Sequence, residues 1–240
     1  MIVRPAASSL DVLTLGLAAA LTASLGPVLL VVSARHVRRA LGHANALAAG
    51  MMLGIGYVLM TAGIQAEAVG ATLGAALGVV VMYWVHVALG IGDVVDGDGK
   101  HRPFIAATVH ATAEGIALGA AAALGHTMAV VVAGTLALHN ASESAVTASQ
   151  MTTRPNAGRR DSWLAVLSNL PQVVIGLLVF AVATRWPAAL GPLLGASFGA
   201  FIYLCLAELL PASYHGAGRT GIAVGVTVAA GIVALVSATA

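Results

Sequence analysis

Charged residues are scarce in this chain: Asp, Glu, Lys and Arg make up only 8% of its 240 residues, whereas soluble domains carry about 25%. The few arginines form no basic stripe and do not alternate with aromatic residues, which argues against nucleic-acid binding. The single cysteine, Cys205, lies in an apolar run and excludes a disulfide framework. Because no nucleophile–base constellation or phosphate-binding loop is present, we expect no enzyme.

Apolar residues dominate instead, at 59% of the chain, with a mean hydropathy of +0.95. A helix needs about 20 apolar residues to cross the hydrocarbon core, whereas barrel strands would be about ten residues long and alternating. We therefore predict an all-α integral membrane protein, a single polytopic domain over 1–240 with eight transmembrane helices. The predicted spans are 10–33, 41–63, 69–92, 104–124, 127–150, 162–184, 188–211 and 219–239.

The basic residues indicate an orientation. Nine of the 11 lysines and arginines follow the first, third, fifth and seventh spans, and only Arg4 and Arg185 lie elsewhere. Because cytoplasmic loops are enriched in Lys and Arg, these four linkers are predicted to be cytoplasmic and both termini extracytoplasmic. The first apolar run is longer than a signal-peptide core, so we expect it to be retained as a helix. The cell membrane is the expected location.

Two short motifs carry the only chemistry that stands out. HATAEG (110–115) lies in the fourth span and HNASES (139–144) in the fifth, and each holds a histidine and a glutamate four residues apart. On a helix that spacing puts both side chains on one face. A charged side chain at mid-membrane costs roughly 2.5–3.5 kcal/mol, and neither span contains Lys or Arg to compensate. A bound cation, replaced by protons when absent, would compensate this cost.

Two imidazoles and two carboxylates suit zinc, iron(II) or manganese. Calcium and magnesium prefer oxygen alone, and copper(I) prefers sulfur. Asn140 adds an oxygen ligand beside His139. Two other readings stay open: a structural or signalling protein whose helices are joined by a buried His/Glu network, and a proton-coupled solute carrier. A di-haem protein is disfavoured because haem does not need the glutamates.

The two motifs resemble those of the ZIP (Zrt/Irt-like) metal transporters, whose fourth and fifth helices carry HNxPEG-like sequences. The stretch 201–211, FIYLCLAELLP, is similar to the end of the family's seventh helix, and 49–53, AGMML, to the start of its second. The resemblance implies a 3+2+3 helix arrangement, alternating access and transport of a divalent metal, zinc first, into the cytoplasm. The positions that match the family's principal transport site are His110, Glu114, His139 and Glu143.

The chain also departs from that pattern. Ala111 and Gln172 stand where the family's second site has an asparagine and a sixth-helix glutamate, which predicts one tightly held metal. Ala113 and Ser142 replace the family's prolines. Gln172, Glu208 and His86 are the candidate accessory or pathway residues, with a snorkelling Glu208 and an aromatic cluster around His86 as alternatives. We expect no cofactor, because the metal is the substrate. The expected partners are metal ions and the bilayer, with a homodimer as the candidate assembly and no nucleic acid.

Overall fold

A computed structural model describes residues 6–26, 37–89, 102–152, 163–164 and 166–239. Regular structure within these residues is entirely helical, which confirms the all-α prediction. The helices are α1 (Ser9–Thr22), α2 (Val37–Leu89), α3 (Arg102–Leu124), α4 (His126–Thr152), α5 (Pro171–Arg185), α6 (Leu190–Leu204) and α7 (Leu210–Thr239). A short 3-10 helix, Pro187–Ala189, precedes α6, and a π-helical turn, Cys205–Leu209, joins α6 to α7.

Four helical stretches are long and apolar enough to cross a membrane: Arg39–Leu89, Phe104–Leu124, Pro187–Tyr214 and Gly216–Ala238. Helices α1 and α5 are apolar but shorter. Helix α4 is absent from both groups because the polar residues around its HNASES motif lower its hydropathy. Many large apolar side chains of the described residues face outward, as expected where lipid is the solvent. The chain is therefore an all-helical membrane protein.

Helix α2 is bent at Glu67. A straight helix of its 53 residues would extend about 80 Å, far more than a hydrocarbon core of about 30 Å. Glu67 has an extended backbone (φ −163°, ψ 102°), and a Cβ built on Gly63 would lie 3.2 Å from the Ala71 Cβ. Eight residues of straight helix would separate those positions by about 12 Å. The limbs 37–66 and 68–89 therefore fold back on each other, at the linker predicted between the second and third spans.

Two further breaks interrupt the helices. Gly218 has a positive φ of 67°, which favours glycine, and it divides α7 where the sequence predicts a linker. Helix α5 begins only at Pro171, well inside the predicted span 162–184, after a turn over Ser168–Leu170. Proline lacks the N–H that a helix interior requires but is suited to a first turn, so it marks the start of α5.

The helices pack as two groups, one of α2, α6 and α7 and the other of α1, α3, α4 and α5. Small residues permit close approach within each group: Gly195 of α6 lies against the Ala71 carbonyl, and Gly119 of α3 against that of Gly176. The buried apolar core includes Phe201 in the first group and continues through Leu118 in the second. The 3+2+3 arrangement implied by the resemblance stays a prediction. The predicted span ends 27–33 and 90–92, and most of the basic linkers, lie outside the described residues.

Candidate metal centre

Helices α3 and α4 form the hairpin that carries both motifs. Gly125 alone separates them and has φ of 142°, a conformation that residues with a Cβ rarely adopt. Both helices continue unbroken past Ala113 and Ser142, the positions where the related family has prolines. The Ser142 hydroxyl donates to the His139 carbonyl (2.8 Å). This tight connection turns the chain back on itself and sets the motifs at similar depth.

All four motif side chains meet between the two helices. His139 Nε2 lies 3.1 Å from Glu114 Oε1 and 3.5 Å from Glu143 Oε2. His110 Nδ1 hydrogen-bonds Glu143 Oε1 at 2.6 Å. Glu114 is 0% exposed, His139 1%, and His110 and Glu143 each 7%. Ligand atoms from Glu114, His139 and Glu143 all lie within 4.8 Å of one another, close enough for a single metal ion to bind all three.

The cluster continues into the other helix group through Glu208, which lies in the π-helical turn. Its Oε2 is 3.2 Å from His110 Nε2, and its Oε1 is 3.3 Å from His86 Nδ1 on α2. The His86 ring also lies edge-on to Tyr203, with centroids 5.7 Å apart. The structure therefore brings two of the three accessory or pathway candidates, His86 and Glu208, together with the four motif residues. We call these six residues the His–Glu series: Glu114, His139, Glu143, His110, Glu208 and His86.

Exposure increases along the series. The Glu114 side chain is completely buried, whereas those of Glu208 and His86 are 20% and 17% exposed. Carboxylate and imidazole alternate along it, so each carboxylate has a histidine as its neighbour. The series therefore leads from the protein interior towards a more accessible surface through ligand groups alone.

Many ligand atoms of the series make no hydrogen bond to any described residue. Both carboxylate oxygens of Glu114 and both ring nitrogens of His139 are in this state, as are His110 Nε2 and Glu143 Oε2. Three of these atoms, Glu114 Oε1, His139 Nε2 and Glu143 Oε2, lie at ion-pair distances within the series, with His139 Nε2 3.1 Å from the first carboxylate and 3.5 Å from the second. Buried polar atoms are nearly always hydrogen-bonded in folded proteins. Such a concentration of unpaired lone pairs at one place is typical of a ligand or metal site.

Asn140 and Gln172 bind each other and α1. Asn140 Nδ2 donates to Gln172 Oε1 (2.9 Å) and to the Ala19 carbonyl (3.1 Å), while Gln172 Nε2 donates to the Gly16 carbonyl (3.2 Å). Only Asn140 Oδ1 is left without a partner among the described residues. These amides therefore join α4, α5 and α1 beside the cluster. The sequence did not indicate this link, because two of its acceptors are backbone carbonyls and have no side-chain signature.

A scan of the chain against protein-family models gave no match, and a search of curated proteins gave none either. The class of protein therefore rests on the fold and the site. The chain is a helical membrane protein with a buried cluster of histidines and glutamates that is able to hold a metal ion.

Proposed function

We propose that this protein transports a divalent transition-metal cation across the cell membrane into the cytoplasm, as a transporter of the ZIP type. Zinc is the first candidate substrate, with iron(II) and manganese next. The observation that carries the proposal is the buried group Glu114, His139 and Glu143, whose ligand atoms converge within 4.8 Å and are largely unpaired.

Electrostatics supports a cation as the occupant. Glu114, Glu143 and Glu208 bring three carboxylates into the series, and the described residues place no lysine or arginine against them. Carboxylates in a water-poor interior are costly even when histidines lie beside them, because desolvation of the charges opposes the attraction. A divalent cation would neutralise two of them and use the free histidine nitrogens as ligands. Mixed nitrogen and oxygen ligation suits zinc and its neighbours better than calcium or magnesium.

The His–Glu series also supports transport over permanent binding. A structural metal site is usually closed, with a fixed set of ligands. Here further ligand groups, His110, Glu208 and His86, lead away from the most buried group towards a more exposed position. A cation could therefore exchange one ligand at a time without crossing a wholly apolar region.

The position of the series suggests how access could alternate. Helices α3 and α4 supply four of its members from one helix group, and α2 and the π-helical turn supply two from the other. The contact between His110 and Glu208 therefore bridges the two groups, and their relative movement would open or close it. Eight transmembrane helices with both termini outside complete the proposed topology.

The unpaired atoms argue against the structural-network alternative. A polar network that only holds helices together is favourable when its members are hydrogen-bonded, and is costly otherwise. No polar side-chain atom of Glu114 or His139 makes a well-aligned hydrogen bond to a described residue, although the two side chains lie within ion-pair distance of each other. A proton-coupled solute carrier remains the rival, because alternating carboxylates and imidazoles also carry protons. Metal uptake separates the two.

The test is radiometal uptake into proteoliposomes across a panel of divalent ions. We expect Glu143→Ala and His110→Ala to abolish zinc uptake while the purified variants elute and unfold like the parent. His43→Ala is the matched control, since His43 is exposed, is not part of the His–Glu series, and its ring hydrogen-bonds the Arg39 carbonyl of its own helix. Uptake by both cluster variants at the parent rate would overturn the site, and absence of metal uptake by the parent protein would overturn the function.

A further inference from the structure

A large cavity, open on its outer side, lies between the two helix groups, on a different face of α4 from the metal cluster; Leu138 and Ile232 in its lining are 64% and 58% exposed. Its volume is about 600 Å³, within the range of roughly 300–1,000 Å³ found for small-molecule sites. One wall is formed by the first limb of α2 with the second limb of α7, and the other wall by α4. The lining includes Leu47 and Met51 from α2, Gly134 and Leu138 from α4, and Ile232 and Val236 from α7.

The lining has no free polar group. Thr135 and Ser142 are its only residues with polar side chains, and both hydroxyls donate to carbonyls of their own helix, Val131 (3.0 Å) and His139 (2.8 Å). The lining therefore offers water no hydrogen-bond partner, and an apolar occupant is favoured. The natural occupant is therefore a hydrocarbon, which the surrounding membrane supplies at this depth.

The dimensions of the cavity suit one hydrocarbon chain. The lining of α4 extends from Val130 to Ser142, which corresponds to about 18 Å of helix at 1.5 Å per residue. One leaflet of a hydrocarbon core of about 30 Å is about 15 Å thick. The cavity volume equals that of roughly twenty water molecules at about 30 Å³ each, and a methylene group is of similar size. A single extended acyl chain therefore fits within both the length and the volume.

We propose that this cavity binds one acyl chain of a membrane lipid, between α4 on one side and α2 with α7 on the other. The chain would contact both helix groups at once. On α4 it would lie against Leu138 and Ser142, next in sequence to the cluster residues His139 and Glu143. Its presence would therefore hold α4 in position relative to α2 and α7. Binding of the chain does not depend on whether the protein transports metal.

Two glycines provide a matched test. A Cβ added at Gly134 or at Gly231 would meet no atom within 4 Å, and both residues are exposed positions in helices. Gly134 lines the cavity, whereas Gly231 is not part of its lining. Gly134→Leu should therefore occupy part of the cavity and obstruct an acyl chain, while Gly231→Leu adds the same side chain elsewhere. Leu47→Trp narrows the cavity from the opposite wall and serves if Gly134→Leu does not fold.

The probe is phosphatidylcholine with a photoreactive group on one acyl chain, in vesicles containing the purified protein. After irradiation, peptide mapping measures labelling of 130–142 relative to the outward-facing segment 73–84. We expect strong labelling of 130–142 in the parent and in Gly231→Leu, and loss of that excess in Gly134→Leu or Leu47→Trp. Equal labelling in all variants would mean ordinary surface lipid and would overturn the proposal. The proposal would also be overturned if Leu138→Cys formed an intermolecular disulfide and 130–142 were not labelled by lipid. That result would mean that a second copy of the protein covers the cavity.

Discussion

At the scale of single residues, the cluster depends on which atoms are left free. Glu114 and His139 form a buried ion pair at 3.1 Å, yet the remaining polar atoms of both side chains, Glu114 Oε2 and His139 Nδ1, have no hydrogen-bond partner among the described residues. If the two side chains only stabilised the fold, these unsatisfied atoms would be a net cost. When a metal ion is bound, the same atoms serve as its ligands and their burial is compensated. When the site is empty, protons bind these groups instead, so protons compete with the metal.

Proton competition predicts a pH dependence of metal affinity. Histidine ligands must be neutral and glutamate ligands ionised to bind a metal, and free histidine titrates near pH 6.5. Each histidine ligand that is protonated must lose its proton, so affinity should fall by about tenfold per pH unit for each such ligand below its pKa. Affinity is thus highest above neutrality and lost as pH falls.

Titration calorimetry at pH 7 in buffers of different ionisation enthalpy measures the released protons directly. We expect the binding heat of zinc to vary with the buffer for the parent protein and for the control His43→Ala. A heat that is the same in every buffer would contradict proton competition.

The amide pair Asn140–Gln172 gives a second prediction at this scale. Gln172 donates to the Gly16 carbonyl, so Gln172→Glu places a carboxylate oxygen against that carbonyl and leaves two acceptors facing each other. We expect a loss of about 1–3 kcal/mol in the free energy of unfolding. The loss should shrink at low pH, where a protonated glutamate donates again. Thermal unfolding at two pH values measures it, and Gln65→Glu, at an exposed position, is the control.

Zinc binding by the same variant tests the number of sites. We expect one tightly held metal in the parent and a stoichiometry closer to two when the glutamate is restored. Ala111 is completely buried, so adding Ala111→Asn requires its neighbours to move, and Gln172→Glu alone is the cleaner variant. Two metals of similar affinity in the parent would show that other residues complete a second site.

At the scale of helices, the bend in α2 depends on the side chain of Glu67. Its carboxylate accepts hydrogen bonds from the N–H groups of Val69 (3.0 Å) and Gly70 (2.5 Å). It therefore caps the start of the second limb, where a negative charge is also attracted to the positive end of the helix dipole. Glu67→Ala should lower the free energy of unfolding by about 0.5–2 kcal/mol. Unfolding in detergent measures it, and the neighbouring Gln65→Ala should leave stability unchanged. Equal effects of both substitutions would contradict the capping role.

The π-helical turn has a comparable role at the other side of the site. A π-helical segment adds a residue to a helical turn and is frequently found at functional sites. Here the turn consists of Cys205–Leu209, and the carboxylate of Glu208 within it contacts both His110 and His86. A regular α-helix would present position 208 in a different direction. The turn therefore determines that the series crosses between the two helix groups.

At the scale of the whole molecule, orientation in the membrane decides the direction of transport. The distribution of basic residues predicts that Arg39 lies on the cytoplasmic side and Trp186 on the outside. Single cysteines at these exposed positions should react with a membrane-impermeant reagent from opposite sides. The native Cys205 is completely buried and should contribute little background. If Arg39→Cys were labelled from outside in intact cells, the predicted orientation would be wrong, and so would the proposed direction of transport.

Several features of the protein were predictable from local sequence. Low charge and long apolar runs predict a helical membrane protein because each helix satisfies its own backbone hydrogen bonds in lipid. The spacing of His110 with Glu114, and of His139 with Glu143, predicts one shared face on each helix, since four residues make about one turn. The turn at Gly125 predicts that the two faces lie at similar depth. None of these inferences requires knowledge of a distant part of the chain.

Other features required the tertiary structure, because they depend on residues far apart in sequence. The contact of His110 with Glu208 needs α3 to pack against the group of α2, α6 and α7, and a π-helical turn to orient the glutamate. The link from Gln172 to α1 ends on a backbone carbonyl, and every residue has one. The cavity beside α4 is a space between three helices and belongs to no segment. Composition and spacing thus determined the class of protein and the ligand types, whereas packing decided which ligands meet and what lies beside them.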